Sequence, residues 1–143
     1  MSGLRPFHLA IPVRDIAESR AFYGGLLGFA EGRSAPEWVD WNCYGHQLVT
    51  HLDPGLGPDG RVALHYNGVD GKGVPVPHFG VVLAQPDWEA LAGRLQGQVT
   101  FVLEPYTRFR GETGEQSTLF FLDPSGNALE FKAFADLSQL FAR

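Results

Sequence analysis

Apolar residues along the chain follow two periods, strand alternation and helical spacing, and the order of these patterns predicts the elements. An alternating run at residues 7–13 predicts a strand. Asp15 with Glu18 three residues later is typical of the start of a helix, and Gly28 is placed to end it. Three further strand candidates follow, at residues 30–33, 38–43 and 47–52. The first part of the chain therefore has the predicted order strand, helix and three strands.

The same order returns in the second part of the chain. A strand predicted at residues 77–83 leads into a helix that begins at Pro86, because proline fits the first turn of a helix. Three more strands are predicted, at residues 99–103, 118–122 and 128–134. A shift of 70 residues places His78 over His8 and aligns the two parts, with one insertion at residues 105–117. The chain is therefore predicted to be a tandem repeat.

These patterns predict one domain made of two βαβββ modules, at residues 5–52 and 77–135. Residues 53–76 contain six glycines and three prolines, which is typical of a connection. Residues 136–143 are predicted to form a short C-terminal helix or tail. Because a helix follows the first strand of each module, we predict an α+β fold. Its mixed sheets, each covered by a helix on one face, would form a half-open barrel around a cavity.

Three polar residues each lie on the strand face opposite the apolar side chains. Side chains alternate between the two faces of a strand. His8 and His78 each oppose the apolar face of their strands, and Glu130 does so on the last strand. If the helices cover the apolar faces, the two imidazoles and the carboxylate point into the cavity.

Two histidines and a carboxylate form a ligand set that binds Fe(II), Mn(II), Zn(II) or Ni(II) and leaves coordination positions open. Such a metal polarises a carbonyl or lowers the pKa of bound water. A lone histidine on a strand is more often structural, but His8 and His78 occupy equivalent places in the two modules. We therefore predict a divalent metal held by His8, His78 and Glu130.

His51 is a further candidate for the site. It shares a strand face with Gln47 and Val49, so the same alternation points it inward. The repeat places Val49, rather than His51, opposite Glu130. His51 is interpreted either as a fourth ligand or proton-transferring residue, or as a histidine that only lines the pocket.

Charge and cysteine content limit the partners. Eleven basic against sixteen acidic residues give a net charge of -5, which argues against nucleic acid and anionic membranes. No apolar run approaches the length of a membrane span, the start of the chain has no signal-peptide stretch, and Cys43 is the only cysteine. The sequence favours a cytoplasmic protein with a small-molecule partner.

Three segments carry a family resemblance: PFHLAIPV at residues 6–13, FYGGLLGF at 22–29, and FLDPSGNALEF at 121–131. Together they closely resemble the glyoxalase/bleomycin resistance/dioxygenase superfamily, whose members are also called vicinal oxygen chelate proteins. The resemblance implies paired βαβββ modules around a central metal and, often, a homodimer. The ligand positions of the family match His8, His78 and Glu130.

The resemblance also implies a choice of reactions, among them lyases, epimerases and ring-opening dioxygenases, whose substrates chelate the metal through neighbouring oxygens. Glyoxalase I enzymes typically supply a glutamate ligand from the first module, where this chain has Val49 and His51. That departure favours dioxygenase-like chemistry over glyoxalase I chemistry. The alternative is a metal-free binding protein like the bleomycin-resistance members, which sequester a drug.

The insertion at residues 105–117 is interpreted either as a lid or as a solvated loop. Tyr106, Arg108 and Arg110 are candidates for binding an anionic substrate, and Glu115 is a candidate acid or base. Trp38 is predicted to line an aromatic wall of the pocket or to be part of the core.

Overall fold

The computed structural model describes residues 3–143 and divides into two compact units. The first unit contains the described residues up to Val62 together with Pro124–Asn127. The second contains Ala63–Asp123 and Ala128–Arg143. Each unit has its own sheet and its own helix.

The first unit has a four-stranded mixed sheet in the order β1-β4-β3-β2. Its strands are β1 (His8–Val13), β2 (Ala30–Ala35), β3 (Trp38–Cys43) and β4 (His46–Leu52). Strands β1 and β4 are parallel, and the other pairs are antiparallel. The core of this unit lies on the face that carries Ile11, Val13 and Trp41, all at most 8% exposed. Phe7 departs from the predicted burial of this face: it precedes the first paired residue of β1 and is 68% exposed.

The helix of the first unit begins as predicted but continues differently. The Asp15 carboxylate accepts a hydrogen bond from the Glu18 backbone N–H at 2.7 Å, which caps helix α1 (Ile16–Ser19). In a capping box the Glu18 side chain would also accept a hydrogen bond from the Asp15 backbone N–H. Here it accepts one from Arg14 Nε instead, at 2.8 Å. A π-helix continues α1 over Arg20–Leu26. Gly28, with a φ of 75°, then ends the helical segment.

The second unit has a five-stranded sheet around β11 (Ala128–Phe134). Its remaining strands are β7 (His78–Phe79), β8 (Val82–Leu83), β9 (Thr100–Arg108) and β10 (Gln116–Leu122). Strands β7 and β8 run parallel to one edge of β11, and β10 joins β11 to β9 by antiparallel pairing. Helix α2 (Gln85–Leu95) buries Trp88, Leu91 and Leu95.

The predicted connection at residues 53–76 contains regular structure that the sequence did not predict. It contains a 3-10 turn at Pro54–Leu56 and a hairpin of β5 (His65–Val69) and β6 (Lys72–Val76). Asp70 and Gly71 form the turn, both with positive φ, as two-residue hairpin turns require. Glycine and proline in these strands conceal the alternation on which sequence prediction depends.

The predicted insertion at residues 105–117 is shorter in the structure, because pairing between β9 and β10 continues as far as Arg108 opposite Gln116. Only a loop of residues 109–115 remains. At the C-terminus, where a short helix or tail is predicted at residues 136–143, the structure has a 3-10 turn at Leu137–Gln139. The predicted α+β class with mixed sheets is confirmed. Among the helices within residues 3–143, none has the length and apolar character needed to cross a bilayer.

Candidate functional site

His78 and Glu130 meet in the second unit, as the strand alternation predicted for that unit. Strand β7 lies parallel to β11, with His78 paired to Ala128, two residues before Glu130. His78 Nε2 lies 3.3 Å from Glu130 Oε1, and the Glu130 side chain is only 9% exposed. A nitrogen and an oxygen donor therefore lie side by side on the inner face of this sheet.

Two contacts fix the His78 ring. Its Nδ1 lies 2.6 Å from the Pro75 carbonyl oxygen, and because a carbonyl only accepts, Nδ1 must carry the proton. The edge of Phe120 packs against the ring with centroids 4.9 Å apart. In the neutral imidazole the lone pair is therefore on Nε2, the atom that faces Glu130. Metal-binding histidines are typically oriented through the other ring nitrogen in this way.

The Glu130 carboxylate is held as an anion by its neighbours. Thr118 Oγ1 donates a hydrogen bond to Oε2 at 2.6 Å, and Lys132 Nζ lies 3.9 Å from the same oxygen. Burial opposes ionisation of Glu130, but the hydrogen bonds from His78, whose Nε2 donates when the imidazole is protonated, and from Thr118 outweigh it and lower the pKa of Glu130. The hydrogen bond to Glu130 raises the pKa of His78, against the opposing effect of partial burial.

A cavity of about 210 Å³ opens beside this pair. Its lining residues come from the hairpin and the sheet of the second unit: Val69, Val74, His78, Leu103, Tyr106, Arg108, Thr118, Phe120, Glu130 and Lys132. Burial, and secondly the charge of Glu130, raise the pKa of Tyr106, so its phenol remains a donor at neutral pH. The cavity thus combines apolar walls with cationic and hydrogen-bonding side chains.

Gly80 brings the backbone of β7 and β8 against Glu130. A Cβ at this position would lie 1.5 Å from the Glu130 carbonyl oxygen. Only glycine allows that approach. A second cavity of about 250 Å³ lies here and shares His78, Glu130 and Lys132 with the first. The donor pair is therefore accessible from two cavities.

His8 has the corresponding arrangement in the first unit. It is paired with Gln47 across β1 and β4, and its Nδ1 lies 2.7 Å from Gln47 Oε1. With the amide oriented in this way, Nδ1 donates and Nε2 keeps its lone pair, as in His78. His8 is exposed, and Gln47 also lines a cavity of about 470 Å³ within this unit.

The donor chemistry around His78 and Glu130 fits a divalent metal, because an imidazole nitrogen and a carboxylate oxygen suit all four candidate ions. Within residues 3–143, no three His, Cys, Asp or Glu side chains are grouped closely enough to form a complete ligand set. The structure therefore brings together two of the three predicted ligands.

The other predicted site residues lie in different surroundings. His51 is exposed on β4, opposite the half-buried Trp38 on β3. The Glu115 carboxylate accepts a hydrogen bond from the Gly111 backbone N–H at 2.7 Å and so stabilises the 109–115 loop. Arg110 is exposed in that loop. Of the predicted substrate-binding residues, Tyr106 and Arg108 line the cavity beside His78.

Sequence reasoning missed four residues that support this site: Pro75, Thr118, Lys132 and Asp70. Lys132 carried a usable signal, since it shares the strand face of Glu130 two residues away. Thr118 could have been found from antiparallel pairing, which places it opposite Lys132. Asp70 carried only a turn signal, because Asp-Gly is typical of a two-residue hairpin turn, and Pro75 carried none because the hairpin was not predicted.

Comparison with known proteins gives consistent results for family and fold. A family model for the Glyoxalase/Bleomycin resistance protein/Dioxygenase superfamily matches residues 5–131. The comparison with curated proteins found no match.

Among solved structures, a glyoxalase/bleomycin resistance protein/dioxygenase from Alicyclobacillus acidocaldarius is 30% identical, with a TM-score of 0.75 and 96% of each chain covered. A genomically encoded fosfomycin resistance protein from Listeria monocytogenes is 17% identical, with a TM-score of 0.65; the match covers 97% of this chain and 98% of that one. A glyoxalase/dioxygenase from Nostoc punctiforme is 21% identical, with a TM-score of 0.65 and coverage of 95% and 99%. The last two show the fold alone. The chain therefore belongs to the glyoxalase/bleomycin resistance protein/dioxygenase superfamily.

Proposed function

We propose that this protein is a divalent-metal-dependent enzyme acting on a small substrate that chelates the metal through neighbouring oxygens. The observation that carries the proposal is the His78–Glu130 pair, with Nε2 of His78 aimed at a carboxylate oxygen 3.3 Å away. The bond from Nδ1 to Pro75 fixes this orientation. A metal ligand needs the lone pair and the fixed ring that this arrangement provides.

The proposed third ligand is His8, because it repeats the strand position and the Nδ1 contact of His78. Members of the superfamily often form dimers, so we include a homodimer in the proposal. His51 is proposed as a proton-transferring residue and Glu115 as a weaker candidate, both on sequence grounds. The metal, when bound, supplies Lewis-acid activation of a substrate oxygen.

The residues of the cavity favour a substrate that combines an anionic group with an apolar body. Arg108 and Lys132 supply positive charge, and the Tyr106 phenol supplies a hydrogen-bond donor. Leu103 and Phe120 form apolar walls. Thr118 and Lys132 hold Glu130 ionised, so the carboxylate stays available as a ligand while substrate binds.

Metal content tests the proposal. Protein purified without chelator is analysed by elemental mass spectrometry, together with His78→Ala and Glu130→Gln variants. We expect about one metal ion per wild-type chain and at least a tenfold loss of metal affinity in both variants. His65→Ala is the matched control, because His65 is exposed on β5. Wild-type protein without stoichiometric metal, even after incubation with Fe(II), Mn(II), Zn(II) and Ni(II), would reject the proposal.

The reaction class is then tested with two substrate panels. Sequence departures from glyoxalase I favour dioxygenase-like chemistry, so we expect oxygen uptake with catechol substrates in the Fe(II)- or Mn(II)-loaded protein. A lyase or isomerase would instead convert the hemithioacetal of methylglyoxal and glutathione without consuming oxygen.

A metal-free binding protein of the bleomycin-resistance type is the second candidate. This candidate is favoured because both oxygens of the Glu130 carboxylate and both ring nitrogens of His78 already contact partners within the protein. In that case ligands should bind the chelator-treated protein as tightly as the untreated protein. Calorimetry with and without chelator separates the two candidates.

A further inference from the structure

The β5–β6 hairpin covers the cavity of the second unit through side chains and, at Pro75, through the backbone carbonyl that bonds His78. Its two strands pair with each other and form a separate two-stranded sheet. Val74 is its buried anchor at 7% exposure, while all five residues of β5 are exposed. An isolated two-stranded hairpin is marginally stable in water. The hairpin is therefore held in place by its contacts with the cavity wall.

Two of these contacts use charged side chains near the turn. Lys72 Nζ lies 5.0 Å from the centre of the Tyr106 ring, which is a cation–π distance. Asp70, in the turn itself, forms an ion pair with Nη2 of Arg108. Both partners, Tyr106 and Arg108, line the cavity beside His78 and Glu130.

The ion pair with Asp70 leaves part of the hydrogen-bonding capacity of the Arg108 guanidinium without a partner. Asp70 contacts one terminal nitrogen of the guanidinium, while Nε of Arg108 is buried with no hydrogen-bond partner. The Arg108 side chain is 18% exposed, but that of Asp70 is 51% exposed. An ion pair with an exposed partner is weak. A carboxylate or phosphate group with two free oxygens matches the guanidinium fork better than this single contact does.

We infer that Asp70 is a displaceable internal counter-ion of Arg108, and that an anionic group on the substrate replaces it and releases the turn end of the 65–76 hairpin from the cavity, while the Pro75–His78 hydrogen bond stays in place. This inference rests on the proposed function only in taking this cavity as the substrate site. It specifies the substrate class as one with a carboxylate, phosphate or phosphonate group. It also gives the hairpin a role as a latch whose opening is coupled to anion binding.

Inorganic phosphate serves as the probe, and Asp70→Asn is the deciding variant. Asparagine tolerates the positive φ of 50° at this exposed turn, so the fold is expected to persist. By calorimetry, Asp70→Asn should bind phosphate about two- to fivefold more tightly than the wild type does. This is the order of effect expected when an exposed ion pair that competes for Arg108 is removed. Arg108→Gln should weaken phosphate binding at least tenfold. Asp59→Asn and Arg143→Gln are controls that make the same charge changes at exposed positions.

Hydrogen exchange of residues 65–76 supplies the second readout. We expect faster exchange in Asp70→Asn without phosphate, and faster exchange in the wild type when phosphate is added. Unchanged or weaker phosphate binding in Asp70→Asn would overturn the inference, and so would slower exchange of the hairpin with phosphate. Metal content is measured in each sample, so loss of metal is distinguished from failure of the latch.

Discussion

Single residues around Glu130 determine how well it can serve as a ligand. Its carboxylate is 9% exposed, and an unpaired buried carboxylate would be costly. Thr118, His78 and Lys132 together keep it ionised. Lys132 is the one of the three that is a cation throughout the neutral range, and its Nζ is 3.9 Å away, so the hydrogen bonds from His78 and Thr118 carry most of the effect. The geometry of the site therefore depends on neutral neighbours as much as on charged ones.

Replacement of Thr118 tests this dependence. Thr118→Val removes the 2.6 Å hydrogen bond to Glu130 Oε2 with little change in volume. We expect the pKa of Glu130 to rise, metal affinity to fall about 10- to 100-fold, and the free energy of unfolding to fall by about 1–3 kcal/mol. Metal titration and urea unfolding measure these effects. Thr100→Val at an exposed site is the control, and unchanged metal affinity in Thr118→Val would contradict the argument.

The stability of the metal-free protein should depend on pH through the His78–Glu130 pair. The pKa of His78 is raised, so its contribution is complete below about pH 6.5 and is lost as pH rises through the folded value. The pKa of Glu130 is lowered, so its contribution is present above about pH 4.5 and is lost as pH falls through the folded value.

Wild-type protein should therefore exceed His78→Gln in stability most clearly between about pH 4.5 and 6.5, in chelator-treated samples followed by thermal unfolding. A difference in melting temperature that stays constant from pH 4 to pH 9 would show that the pair makes no such contribution.

At the scale of elements, the strand that carries His78 is interrupted for a structural reason. The pairing of β7 and β8 with β11 keeps one register, but residues 80 and 81 between them are not in strand conformation. Gly80 lies there against the Glu130 backbone. The close contact between Gly80 and the Glu130 backbone lets the edge strand run along β11, and a cavity remains beside His78 and Glu130.

Gly80→Ala should therefore destabilise the protein strongly. The added Cβ would overlap the Glu130 carbonyl oxygen, so the edge strand must move, and we expect a loss of about 3 kcal/mol or more in urea unfolding. Gly93→Ala in α2 is the matched control, because nothing lies within 4 Å of its Cβ position. There we expect a gain of roughly 0.5–1 kcal/mol. Equal stability of Gly80→Ala and wild type would refute the close approach.

Elements with a strong apolar period could be predicted from the sequence, and those without one could not. Helix α2 followed directly from Pro86 and the buried positions Trp88, Leu91 and Leu95. The β5–β6 hairpin has no core of its own, so only its turn residues carried a signal, and a glycine-rich background hid it. The extension of β9 and β10 was missed because Gln116 and Ser117 are polar although buried, so they give no apolar alternation.

At the scale of the whole molecule, the repeat accounts for both the likeness and the difference of the two modules. Gln47 pairs with His8, and Ala128 pairs with His78, so Val49 and Glu130 occupy equivalent positions two residues further along their strands. The predicted equivalence of Val49 and Glu130 therefore follows from the observed register. One module supplies a histidine alone, and the other supplies a histidine and a carboxylate.

The strand face of each proposed ligand could be predicted from the sequence because side chains alternate along a strand. The hydrogen-bond partners of the ligands could not be found, since they lie on other strands or on the unpredicted hairpin. Pro75 is the clearest case, because its carbonyl determines which nitrogen of His78 is protonated.

The central claim is that His78 and Glu130, with His8, hold a divalent metal through Nε2 of each imidazole. Long-range proton–nitrogen NMR of the histidine rings, recorded as zinc is added to the metal-free protein, tests it most directly. We expect the Nε2 signals of His78 and His8 to shift with one equivalent of zinc while both Nδ1 atoms remain protonated. Unshifted Nε2 signals of His78 and His8 at saturating zinc would contradict the claim.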